Sequence, residues 1–227
     1  EGIDAQYLNF EIPDISCLRD ILFEHPYLEG LNCTIPYKET LLPYLDEITP
    51  EAQEIGAVNV VKIQRNPNFS GGRCTDGIRL TGYNSDIIGF TESISPLLKP
   101  HHRKALILGT GGAAKAIKVG LEKLGIACTY VSRKGGKDRL TYAEITPLTL
   151  QEYQVIVNCS PVGMYPHTDE APDIPYNALS PNHLLYDLVY NPEMTMFLKY
   201  GAQHGATVKN GQEMLELQVL LLEPQLL

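Results

Sequence analysis

The sequence predicts an α/β fold in two parts, a mixed α/β portion followed by a doubly wound parallel sheet. Three observations carry the prediction. Short β-branched or aromatic runs alternate with helical stretches along most of the 227 residues. Four runs after Lys104 are apolar almost throughout, as strands covered on both faces are. A glycine-rich turn separates the first of them from a helix, and this βαβ rhythm favours an open sheet with right-handed crossovers.

In chain order, Tyr7–Ile12 reads as a strand, Leu18–Phe23 as a helical piece, and Lys38–Glu47 as a helix after the turn at Pro36. Val58–Gln64 and Ile78–Tyr83 read as strands joined by a long loop containing Asn66-Pro67-Asn68 and Gly71-Gly72. A helix is expected over Asp86–Leu98. The polar stretch Lys99–Lys104 suits a junction between domains, with His101 and His102 as ordinary solvated side chains. The apolar strands expected beyond it are Ala105–Leu108, Cys128–Val131, Val155–Asn158 and Leu184–Asp187.

Composition narrows the function. A formal net charge of −9 argues against an electrostatic nucleic-acid binder, though not against a local basic pocket for a phosphorylated cofactor. The longest apolar run, near Leu220–Leu222, falls far short of the roughly 20 residues that span a bilayer. Five scattered cysteines without a CxxC pair suggest neither a disulfide framework nor a metal site, and fit a reducing cytoplasm. No metal is expected. The chain opens on Glu1 rather than Met, which reads as processing or truncation.

The strand Lys104–Leu108 runs into Gly109-Thr110-Gly111-Gly112-Ala113-Ala114 and then into a helix. In that setting Gly109 permits a tight turn, Gly111 lets the backbone approach a pyrophosphate, and Ala114 allows close helix packing. A glycine-rich turn without a ligand is the bland alternative. Rossmann-type sites that prefer NAD end their second strand with an acidic residue, whereas this strand ends Ser132-Arg133-Lys134. Arginine makes charge-assisted, often bidentate bonds to a 2′-phosphate, and Lys134 adds a second cation, so NADP is favoured. The same cations could instead solvate a turn ending in Gly135 and Gly136.

Seven segments in one order resemble the shikimate dehydrogenase family. They are Asn32–Glu39 (NCTIPYKE), Ile55–Val60 (IGAVNV), Gly82–Phe90 (GYNSDIIGF), the glycine turn, Val157–Met164 (VNCSPVGM), Tyr186–Pro192 (YDLVYNP) and Gly211–Gln218 (GQEMLELQ). The resemblance implies an N-terminal α/β substrate domain, residues 1–86 plus 213–227, and a Rossmann-type NADP domain, residues 87–212. It implies hydride transfer from NADPH to the C3 carbonyl of 3-dehydroshikimate, giving shikimate.

By the same resemblance, Lys38 matches the catalytic lysine and Asp86 its acidic partner. Alone, Lys38 reads as an ordinary residue at a helix start and Asp86 as a helix cap. Thr34, Asn59, Tyr190 and Gln218 match substrate contacts, and their hydroxyl and amide groups suit a polyhydroxylated ring with a carboxylate. Gly211 matches a small residue near the cofactor, and Leu188 one whose backbone faces the nicotinamide.

The chain also departs from the family pattern. The family's Gly-x-Pro segment and its Ser-x-Ser pair, whose hydroxyls hold the substrate carboxylate, have no counterpart, which predicts negligible turnover by the chain as given. Ser85 stands for a common threonine, Ile87 for a common glycine, and the ending VLLLEPQLL lacks an alanine-rich, aromatic-containing helix. A non-catalytic NADP-binding module and a quinate dehydrogenase are the competing readings, and Arg133 and Lys134 disfavour the latter's NAD. The expected partner is a small molecule, on a monomer or homodimer without nucleic acid or membrane.

Overall fold

The computed structural model describes residues 5–68 and 71–226, with side chains through residue 219. Readings that involve residues 1–4, or side chains of the tail from Leu220, lie outside the described residues. The first part contains α1 (Leu18–Glu24), β1 (Gly30–Asn32), β2 (Glu47–Ile48), α2 (Pro50–Ile55), β3 (Val60–Arg65), β4 (Ile78–Tyr83) and α3 (Asp86–Ile94). The second contains β5 (Lys104–Leu108), α4 (Gly112–Lys123), β6 (Ala127–Ser132), β7 (Arg139–Thr141), α5 (Pro147–Glu152) and β8 (Val155–Asn158). β9 (Leu184–Asp187), α6 (Met196–Gln203), β10 (Thr207–Lys209) and α7 (Gln212–Leu226) complete it.

Two sheets result. The smaller has the order β1-β3-β4-β2, with β3 antiparallel to both β1 and β4, and β2 parallel to β4. The larger runs β10-β9-β8-β5-β6-β7, all pairs parallel. Along β5, Ala105 and Ile107 join Phe90, Ile117, Leu121 and Met214 on one face, while Leu106 and Leu108 join Leu150, Phe197 and Leu198 on the other. Both faces are covered, which is why these strands are continuously apolar.

Local signals set the element ends. Thr49 Oγ1 accepts from Ala52 N–H at 3.4 Å, Pro50 occupies the first turn, and Gly56 closes α2 at φ 71°. A capping hydroxyl, a proline without an N–H and a left-handed glycine are the start and stop that a short helix needs.

Three expectations are corrected. Residues 5–12 form no strand; they are tied down by Tyr37 Oη donating to Ile12 O at 2.7 Å and Asn32 Nδ2 to Tyr7 Oη at 3.3 Å. A strand pattern needs a partner, and among the described residues no strand pairs with 5–12, β1 and β2 being the two edges of the small sheet. Lys38–Glu47 is not a helix but turns followed by a 3₁₀ segment at Leu42–Tyr44 and then β2. Pro43 disfavours α geometry at Leu42 and lacks a donor. The chain is then pulled into the sheet as Asp46 accepts from Arg73 N and Leu80 N, each at 2.7 Å. His102 is buried rather than solvated: its Nδ1 accepts from Lys99 N and its Nε2 lies 3.1 Å from Asn182 O. Burial holds it below the usual imidazole range, so it serves as a neutral staple, while His101 is exposed.

At the carboxyl ends of the central strands, Asn158 and Asp187 pair across β8 and β9. Asp187 Oδ1 accepts from Asn158 Nδ2 (2.9 Å) and Val189 N (3.1 Å), and Oδ2 from Thr195 Oγ1 (2.6 Å). Thr195 in turn caps α6. One carboxylate thus binds two strand ends and a helix start, although burial pushes its pKa up to about 6.

Asp187→Ala should leave these buried donors unpaired and cost about 2–4 kcal/mol, from roughly 1–3 kcal/mol per unsatisfied group. A raised folded-state pKa favours the fold below the unfolded value and is lost as pH rises toward 6, so the penalty should be larger at pH 4 than at pH 7. Urea unfolding at both values checks this; a loss below about 1 kcal/mol at both would remove Asp187 from the framework.

Candidate functional site

The site forms where the turn after β5 meets the small sheet. β5 lies between β6 and β8, so chain order reverses there and the strand ends open a crevice suited to ligands. Gly109 occupies φ 119°, a conformation that demands glycine, and a Cβ on it would fall 3.1 Å from Cys159 O at the end of β8. Gly111 has open space where its side chain would be, leaving room for a ligand against the helix start. Thr110 is exposed, and Ala113 lies half-buried in the first turn of α4.

Above this turn stands an ion pair. Lys38 Nζ lies 2.5 Å from Asp86 Oδ2, with side chains 14% and 4% exposed. Asp86 opens α3 but does not cap it: Ser85 is the N-cap and Asn84 Oδ1 accepts from Ile87 N. Released from capping, the carboxylate takes Lys38 on one oxygen and Asn59 Nδ2 (3.1 Å) on the other.

Asn59 links the pair to the rest. Its Nδ2 also donates to Ser85 Oγ at 2.9 Å, its Oδ1 accepts from Ser85 N at 2.8 Å, and Ser85 Oγ donates to Gln218 Oε1 at 3.5 Å. Four expected site residues, Lys38, Asp86, Asn59 and Gln218, therefore share one hydrogen-bonded chain. Ser85 belongs to it too and was missed as a site residue; its place beside Asp86 in the NSD motif was the available signal. Thr34 is exposed in the turn that leads to Lys38, where its carbonyl accepts from Tyr37 N, and no bond joins its side chain to the network. Tyr190 is half exposed and walls a polar cavity of about 650 Å³ with Glu193, Lys209, Asn210 and Gln212, Glu213 and Glu216 of α7; Lys38 and Asp86 do not line it.

Leu188 and Gly211 meet closely. A Cβ on Gly211 would lie 2.2 Å from Leu188 O, so only glycine lets the start of α7 approach the loop after β9. Gly211 N donates to Val189 O, and Leu188 N to Asn158 O at 3.0 Å. At the end of β6, Ser132 Oγ donates to Lys134 O at 2.6 Å, curling the turn so that Arg133 and Lys134 stand exposed beside the glycine crevice. Asp187 had no role in the sequence reading, although it sits inside YDLVYNP. Two thiols nearby are poor nucleophiles: burial pushes Cys33 up to about 11 despite the Lys38 charge, and Cys159 well above its ordinary value.

Known proteins resemble this chain over most of its length. Residues 1–61 match the shikimate dehydrogenase substrate binding domain family. The NADP(+) shikimate dehydrogenase of Desulforamulus reducens is 33% identical over 214 residues, 86% of this chain and 69% of that protein. A chorismate mutase/shikimate 5-dehydrogenase fusion protein from Clostridium acetobutylicum superposes with TM-score 0.78 at 33% identity, covering 99% of this chain and 80% of that one. Shikimate 5-dehydrogenase from Thermus thermophilus, in complex with NADP(H) and shikimate, gives 0.75 at 29% identity, covering 94% and 78%. By this extent of similarity, carried across both sheets, the chain belongs to the shikimate dehydrogenase family.

Proposed function

We propose that this protein catalyses the reversible, NADPH-dependent reduction of 3-dehydroshikimate to shikimate. The observation that carries the reading is the buried Lys38–Asp86 pair, held by Asn59 directly above the glycine turn. Residues 1–86 with 213–227 form the substrate side and residues 87–212 the cofactor side.

The chain's residues suit NADP. Gly111 leaves the backbone open to a pyrophosphate, Gly109 sets the turn with its positive φ, and Thr110, Ala113 and the backbone N–H of Gly112 stand around it. Ser132, Arg133 and Lys134 would hold the 2′-phosphate, and Leu188 and Gly211 would flank the nicotinamide. When bound, the cofactor supplies or accepts the hydride.

Lys38 performs the proton step. As hydride reaches the carbonyl carbon, negative charge grows on its oxygen, and the ammonium stabilises that charge and donates a proton to it. In the oxidation direction the neutral amine takes the proton from the hydroxyl. Asp86 keeps the lysine in place with one oxygen while Asn59 occupies the other, so the carboxylate cannot swing away. Gln218 and Thr34 offer an amide and a hydroxyl to the ring and its carboxylate, Tyr190 can offer its hydroxyl from the neighbouring polar cavity, and Asn59, whose Nδ2 is fully engaged, acts through Asp86 and Ser85. Among the described residues no helix is long and apolar enough to cross a membrane. The five cysteines are free thiols, which suits an enzyme of the reducing cytoplasm.

In a version carrying the Ser-x-Ser segment, Lys38→Ala should lower kcat for shikimate by about 10²–10⁴-fold while KM stays within a small factor, because the loss falls on the transition state. Steady-state NADPH formation checks it, and a near-normal kcat would remove Lys38 from the chemistry. Arg133→Ala should weaken NADP by about 1–3 kcal/mol and hardly change NAD. Calorimetric titration with both nucleotides decides: an equal loss for the two would place Arg133 away from the 2′-phosphate.

A further inference from the structure

The three glycines of the turn after β5 are required for different reasons. Gly109 needs its positive φ, and Gly111 faces open space. Gly112 has neither excuse. It is the first residue of α4, its φ is not positive, and in helical geometry glycine is among the poorest choices available. What forbids a side chain there is the other half of the molecule. A Cβ on Gly112 would lie 2.9 Å from Lys38 Cβ, 3.4 Å from Lys38 Cδ and 3.4 Å from Ala57 Cβ.

Nothing in this contact can yield cheaply. Lys38 Cβ is fixed to a backbone whose carbonyl accepts from Val58 N at 2.8 Å, and the far end of the side chain is tied to Asp86. Ala57 is fully buried. The helix cannot retreat freely either, since Lys115, one turn along α4, pairs with Glu39, the residue after Lys38, at 2.5 Å. Further along the same helix, Lys123 pairs with Glu54 of α2 at 2.8 Å.

We infer that Gly112 is a positioning residue for Lys38: the bare first residue of α4 is the seat on which the catalytic lysine rests. The consequence is geometric. One helix end carries the cofactor turn on one side and the stem of the proton donor on the other, so hydride path and proton path are measured from a common reference. The inference rests on the proposed function for its catalytic meaning, but the contact itself does not.

The test uses Gly112→Ala in the full chain. The added methyl points at Lys38 and away from the open space at Gly111, so the NADP dissociation constant should stay within about 3-fold. Shikimate kcat should fall about 10–100-fold with little change in KM, since misplacements near 1 Å cost up to about 10²-fold. Parallel losses of NADP affinity and kcat would overturn the inference and return Gly112 to the pyrophosphate, and an unchanged kcat would overturn it outright. Melting temperature supplies a readout independent of activity: Gly112→Ala should lower Tm in the wild type and much less in Lys38→Gly, where the opposing Cβ is gone. Equal drops in both backgrounds would show that Lys38 is not what the methyl strikes. Where the wild type does not oxidise shikimate, the Tm comparison alone decides the contact.

Discussion

The arrangement depends on burying two opposite charges at the seam between the two sheets. Taking Lys38 and Asp86 out of water costs several kcal/mol per ion, and their attraction offsets this only if the remaining hydrogen-bonding capacity is met. Both oxygens of Asp86 are engaged, one by the ammonium and one by Asn59. The amide of Asn59 is locked in turn, because its oxygen accepts from Ser85 N and its nitrogen donates to Ser85 Oγ. A buried pair with unmet partners would be a liability to folding; here it is one link in a satisfied chain that reaches α7 through Gln218.

That seam exists because helices approach at glycines. Gly120 of α4 sits where a Cβ would meet Thr91 and Phe90 of α3, and Gly89 of α3 where one would fall 2.5 Å from Met214 O of α7. Close helix contacts bring the small sheet over the carboxyl ends of β5 and β8, which places Lys38 against the start of α4 at the crevice. Across the crevice, the Asn158–Asp187 pair does for the loops what Asn59 does for the ion pair. Asn158 Oδ1 accepts from Ser160 N and Oγ while its Nδ2 holds Asp187, so the loop after β8 and the loop after β9 share one anchor.

Much of this was legible in the sequence where the chemistry is local. The strands from Ala105 onward announce themselves by unbroken apolar runs, and the turn at Gly109 by its glycine pattern between a strand and a helix, where the structure finds a φ of 119°. What was not legible depended on partners distant in the chain. Tyr7–Ile12 has the alternation of a strand but finds no sheet neighbour among the described residues. Lys38–Glu47 has helical composition, yet Pro43 and the pull of Asp46 on Arg73 and Leu80 send it into β2. His102 looked solvated because its neighbours are polar, while its burial comes from Asn182, 80 residues away. Ser85 and Asp187 stood inside quoted motifs; their roles required knowing which side chains faced them.

The claim at the centre is that Lys38 and Asp86 act as one unit. It is tested most directly by comparing kcat for shikimate oxidation in Lys38→Ala, Asp86→Asn and the double variant. If the carboxylate works only by placing the lysine, removing it after the lysine has gone costs nothing more, and the double variant should match Lys38→Ala within about 3-fold. Losses that multiply, with the double variant falling by the product of the two single effects, would contradict the account and give Asp86 a role of its own.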